Sequence, residues 1–145
     1  MELKEAQKKL TPKKYREALQ FIELRDIYLK KSDCLLHSRN VSERANIDFQ
    51  EEIGEAKIVE DIASIEHQYS IKVSTDDKDV FELGATYVLN YELKKTLPEE
   101  FFEIYKILSL PIHTYPFFRE LVSSMSARFG LPNLIMPLRK NLYSK

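Results

Sequence analysis

A single cysteine, Cys34, leaves this chain of 145 residues without any internal disulfide. Only three glycines occur, Gly54, Gly84 and Gly130, so no glycine-rich loop can cradle a phosphate. No apolar run approaches the ~20 residues that a membrane helix needs. The first ten residues are charged and lack the apolar core of a secretory leader. With one unpaired thiol, this predicts a reducing, cytoplasmic setting and no membrane insertion. The net charge is −1, which argues against nucleic acid as a partner. His37, His67 and His113 stand at no metal-ligand spacing, and neither HExxH nor CxxC is present. No metal site, cofactor or nucleotide motif is expected.

What is present fits one soluble domain, with 43% hydrophobic and 31% charged residues. Residues 1–20 read as a polar segment, frayed over 1–10, followed by a short helix. Thr11 caps that helix and Pro12 takes its first turn. Residues 21–145 read as the domain proper. A strand is expected over about 21–33, its apolar phase shifting from Ile22 and Leu24 to Ile27 and Leu29, which implies a bulge. The same stretch also permits the helix to run on to Leu29. A loop at 35–45 leads to a short or edge strand at 46–53, where Glu51 interrupts the apolar face of Ile47, Phe49 and Ile53.

Two long alternations follow. Ala63, Ile65, His67, Tyr69, Ile71 and Val73 share one face, as do Phe81, Leu83, Ala85, Tyr87, Leu89, Tyr91 and Leu93. Period-2 patterning of this length predicts two half-buried strands, joined as an antiparallel hairpin through 75–79. The period then becomes helical. Thr96 to Glu99 has the form of a capping box. Phe101, Ile104, Tyr105 and Leu108 line one side of a helix that Pro111 should end. A longer helix is predicted over 112–129, striped by Tyr115, Phe118, Val122, Met125 and Phe129 and stopped by Gly130. The tail is expected to be extended. Strands first and helices after predict an α+β fold: a four-stranded antiparallel sheet followed by a short and a long helix packed on one face.

Catalytic signals are weak. His67, on an apolar face, reads as a core histidine with one hydrogen bond; the rival is a small α+β enzyme with a pocket beside it. Cys34 reads as a free, buried cysteine rather than a nucleophile. Asp76, Asp77 and Asp79 read as a solvated hairpin tip, since the glycine and distal glutamate of a calcium loop are missing. Glu99 and Glu100 suit a helix N-terminus for dipole reasons alone.

Aromatic residues carry more information, with eight Tyr and eight Phe. Both helices are aromatic on more than one side, which suggests surplus apolar surface for a partner. The candidate contacts are Tyr87, Tyr91, Phe101, Phe102, Tyr105, Phe117 and Phe118. Val122, Ser123, Ser124, Ser126 and Ala127 form a small-residue patch where a second helix could approach, a candidate oligomer interface.

At 115–138 the sequence resembles the SecB family of export chaperones. The matching residues are Tyr115, Pro116, Phe117, Phe118, Arg119 and Glu120, then Ser124 to Arg128, then Gly130, Leu131, Pro132 and Leu134. Ile22, Leu24, Ile27 and Tyr28 are similar to that family's first strand, and the order of elements fits over about 21–138. The resemblance makes 21–145 a SecB-like chaperone domain. It implies a homotetramer built as a dimer of dimers that holds unfolded polypeptides without ATP, as in protein export. It offers the translocase motor SecA as a further partner, or else the antitoxin of a toxin–antitoxin pair. Two features depart from the export pattern. Lys72 breaks the acidic outer face of Glu66, Glu82 and Glu92, and the tail from Arg139 to Lys145 is short and basic.

Overall fold

The two alternating segments build the centre of the molecule. In the computed structural model, which describes residues 1–40, 45–76 and 78–131, they form β4 (Ile62–Thr75) and β5 (Lys78–Leu93). Thr75 faces Lys78 across a tight turn. Every inward residue named above is buried on this hairpin, from Ala63 to Val73 and from Phe81 to Leu93. Val80 is the extra residue of a bulge between Val73 and Ser74. Its carbonyl accepts from the backbone N–H groups of His37 and Ser38, so the interrupted ladder leaves it satisfied.

β1 (Ile22–Leu36) pairs antiparallel with β5, and β2 (Asn46–Ile53) with β4, giving the order β1-β5-β4-β2. The expected phase shift in β1 is two register shifts, at Leu24/Asp26 and Leu29/Lys31. The strand also runs three residues beyond its expected end. A short β3 (Lys57–Val59) pairs with the start of β4, so the sheet has five strands rather than four. Three residues carry too little pattern to show an alternation.

The N-terminus departs from expectation. Residues expected to fray form α1 (Leu3–Lys9), whose Ala6 is fully buried. α2 (Pro12–Ala18) is capped as predicted, with the Thr11 side chain accepting from the Lys14 N–H at 3.2 Å. α3 (Glu99–Leu108) lacks the capping box: Pro98 occupies the cap position, and no side chain bonds there. Pro111 does not end α3. It falls in the first turn of α4 (Leu110–Arg128), where a missing donor has no helical partner to lose.

Pro116 therefore lies inside α4 rather than in its first turn. It removes the bond to the carbonyl of Ile112, four residues back. Both residues are exposed, so water can satisfy that carbonyl. The helix ends as expected. Gly130 takes φ +72°, its N–H reaches the Ala127 carbonyl, and the Leu131 N–H reaches that of Ser126, each at 3.0 Å. Pro132 and the rest of the tail lie outside the described residues.

α4 lies over the inner face of β4, where Phe118 stacks on Tyr69 with ring centroids 4.4 Å apart. Phe49 and Tyr115 complete this cluster. α3 is sandwiched: α1 packs against it, and Tyr91 of β5 meets its Tyr105 edge-to-face at 5.2 Å.

Candidate functional site

The sandwiching of α3 corrects the count of spare aromatics. Residues 101 to 106 are all buried, Phe101 and Phe102 included. Tyr87, Tyr91, Tyr105 and Phe118 are buried as well. A helix aromatic on two sides is explained by cover on two sides, from the sheet and from α1. Of the seven candidate contacts only Phe117 is at the surface, 51% exposed. Burial pushes the Tyr87 and Tyr105 phenols up to about 12 and the Tyr91 phenol further still. The Tyr91 hydroxyl lies 3.0 Å from His113 Nδ1, and burial holds that imidazole below its ordinary pKa.

The small-residue patch divides in the same way. Val122 and Ser126 are fully buried against the sheet, and the Ser126 hydroxyl donates to the Val122 carbonyl at 2.9 Å. Thr114 bonds back to Leu110 in the same manner. Ser123, Ser124 and Ala127 lie on the sides of α4 that remain accessible. Tyr115 is buried, Arg119 is half-buried, and Glu120 and Arg128 are exposed. Ile112 is 67% exposed, and with Pro116 and Phe117 it gives the N-terminal half of α4 an apolar outer surface.

A groove opens on the other side of α3, with a volume of about 350 Å³. Leu10, Pro12, Tyr15, Ile104 and Leu108 line it, with Gln7 and Arg16 supplying the polar groups. Tyr15 is fixed there by a 2.8 Å hydrogen bond to the Ser109 hydroxyl, and burial raises its pKa. Nearby, Lys106 is buried and lies 3.1 Å from Glu55 and 3.5 Å from Glu103. Its hydrogen bond holds the Glu55 carboxyl below the usual carboxylate range. This pairing ties α3 to the connector between β2 and β3.

A third apolar surface lies on β1. Its inward side chains are not roofed by helices as those of β4 and β5 are. Leu29 is 43% exposed, and Cys34, expected to be buried, is exposed on the same face because no helix covers this edge strand. β1, β2 and the short β3 are also the edge strands.

His67 forms no open site. Its ring is fully buried, tilted by 33° against Tyr69 with centroids 4.1 Å apart, and Nε2 lies 2.8 Å from Glu51 Oε2. Glu51 sits diagonally across from it on β2. The acid that interrupts the apolar face of β2 is thus the partner that makes a buried histidine tolerable. A substrate would have no path to this ring. Among the described residues no group of His, Cys, Asp and Glu could hold a metal ion. No helix there is long and apolar enough to cross a membrane.

No protein-family model matches the sequence, and no curated protein is similar to it at a significant level. Solved structures do match. The fold is similar to that of the Mycobacterium tuberculosis SecB-like chaperone Rv1957, solved in complex with a ChAD peptide from the Rv1956 HigA1 antitoxin. The TM-score is 0.76 at 17% identity, covering 87% of this chain and 96% of that one. A protein of unknown function from Streptococcus agalactiae matches at TM-score 0.47 and 8% identity, over 81% of this chain and 97% of that one. The chain has the SecB-like fold, as its residues at 115–138 suggested.

Proposed function

We propose that this protein is a chaperone that holds unfolded or partly folded polypeptides without ATP, and that it assembles as a homotetramer, a dimer of dimers. The observation that carries the reading is the likeness in fold, over most of both chains, to a chaperone solved with a bound peptide. The accessible surface is suited to the task. Phe117 and Ile112 on α4, the groove along α3 and the inward side of β1 are apolar. Edge strands can add backbone hydrogen bonds to an extended client. Ser123, Ser124 and Ala127 let a second helix approach the accessible side of α4. The test is suppression of aggregation of a chemically denatured client in the absence of nucleotide. Full suppression near one tetramer per client is expected; none at several-fold excess would refute the reading. Ser124→Trp should lower the mass seen by light scattering from that of a tetramer towards a dimer.

Of the two further partners, an antitoxin is favoured over SecA. The peptide bound by the similar structure comes from an antitoxin. In addition, acids of the outer sheet face already have cationic neighbours here: Lys30 on Glu66, Arg25 on Glu92 and Lys72 on Asp79. That leaves less free negative charge to dock a motor. Binding measured against the antitoxin encoded nearest to this gene should be at least tenfold tighter than against a generic unfolded protein. Equal affinities would favour the general, export-type holder.

A further inference from the structure

Charge is divided unevenly along the chain. Residues 1–16 hold six Lys and Arg against two acids, a net charge of +4. The other 129 residues hold 16 against 21, a net charge of −5. The six cations are Lys4, Lys8 and Lys9 on α1 and Lys13, Lys14 and Arg16 on α2, and all are exposed. None of them makes a salt bridge among the described residues.

These same helices frame the groove along α3. Leu10 and Tyr15 from the N-terminal side and Ile104 and Leu108 from α3 make its apolar lining, and the exposed Gln7 and Arg16 give it a polar edge. The groove is preformed. Tyr15 is pinned to Ser109, Thr11 caps the start of α2, and the buried Ala6 seals α1 against α3. Its volume of about 350 Å³ is at the small end of ligand-sized pockets, roughly 300–1,000 Å³. The acids of α3 do not cancel the charge at the rim. Glu103 is engaged by the buried Lys106 at 3.5 Å, and Glu100 lies one turn before Ile104, outside the lining.

An apolar floor beside unpaired cations suits a ligand that is both apolar and acidic. A lipid surface would ask for apolar side chains that protrude. Between residues 2 and 20 no large hydrophobic side chain is exposed, and the apolar groups are recessed in the groove. We propose that the α1–α2–α3 groove is a docking site for acidic polypeptide segments, taking a bulky apolar side chain on Leu10, Tyr15, Ile104 and Leu108 and a flanking carboxylate on Arg16. The guanidinium fork can hold a carboxylate by two hydrogen bonds. The five lysines draw acidic segments in and repel basic ones. The proposal rests on the chaperone reading and deepens it, by naming the chemistry of the segments that this groove accepts.

Two labelled peptides test it, sharing a Leu-Phe-Leu centre and flanked in one by Glu and in the other by Lys. Fluorescence polarisation at low salt should show at least tenfold tighter binding of the acidic peptide, a preference that shrinks near 0.5 M salt. Arg16→Glu, at an exposed position, should weaken the acidic peptide at least fivefold. Gln7→Trp, which sets a ring at the rim of the groove, should do the same in a protein with wild-type melting. Equal affinity for the two peptides, or an acidic peptide indifferent to both substitutions, would overturn the proposal. So would binding to phosphatidylglycerol vesicles without any preference between the peptides, which would assign the basic patch to a lipid surface. Suppression of client aggregation, measured on the same samples, separates the two readings. If suppression is present and the peptide preference is absent, the groove proposal fails and the chaperone reading stands; if both are absent, both fail.

Discussion

The inner face of the sheet is roofed at one side and open at the other. Over β4 and β5, Tyr69, Tyr87 and Tyr91 are buried beneath α3 and α4. Over β1, on the same face, Leu29 and Cys34 meet solvent. The aromatic side chains are concentrated under the roof, and the exposed apolar groups are mostly aliphatic. Aromatic abundance in this chain therefore reports its core. The exposed large apolar side chains are fewer, among them Phe117, Ile112, Val59 and several of β1.

The roofed side should be the more sensitive to substitution. Phe118→Ala removes a fully buried ring stacked on Tyr69 and should cost about 3–5 kcal/mol in urea unfolding. A loss under about 1 kcal/mol would mean that α4 is not a fixed part of the core. Glu51→Ala strips a fully buried His67 of its carboxylate partner. About 1–3 kcal/mol should be lost, the usual cost of leaving a buried polar group without its bond.

His113 gives a smaller effect with a defined sign. Burial lowers its pKa in the folded protein from the ordinary value of 6.5. The unfolded chain thus binds the proton first, and the contribution is intact above that value and lost as pH falls through it. His113→Asn should give a shallower decline in stability between pH 7 and pH 5. An identical slope in both proteins would show that the site does not titrate in this way. On the open side, Phe117→Ser should leave stability within about 0.5 kcal/mol, as for other surface changes. It should nevertheless reduce suppression of client aggregation several-fold. Unchanged suppression would move the client surface to β1 or to the α3 groove.

Local patterns were legible where one rule governed a long segment. Period-2 alternation placed β4 and β5 and the side each buries, and Gly130 marked the end of α4. The shift of phase at Leu24 to Ile27 foretold an irregular β1. The SecB-like fold was legible from the residues at 115–138. Features that depend on a distant neighbour were not. Lys57–Val59 becomes a strand only because β4 runs beside it. Glu51 looks like a fault in an apolar face until His67 is seen against it. Thr96 and Glu99 have the spacing of a cap, yet the helix starts at Glu99 behind Pro98.

Sequence by itself determined which side chains share a face, because that follows from the backbone period and needs no other part of the chain. Only the tertiary structure decided which of those faces is covered. α1 is too polar to announce a buried contact, yet its Ala6 is sealed as it lies against α3. That cover turns Phe101 and Phe102 from apparent binding residues into core. Burial is a property of the neighbours that a face meets, and those neighbours are remote in sequence.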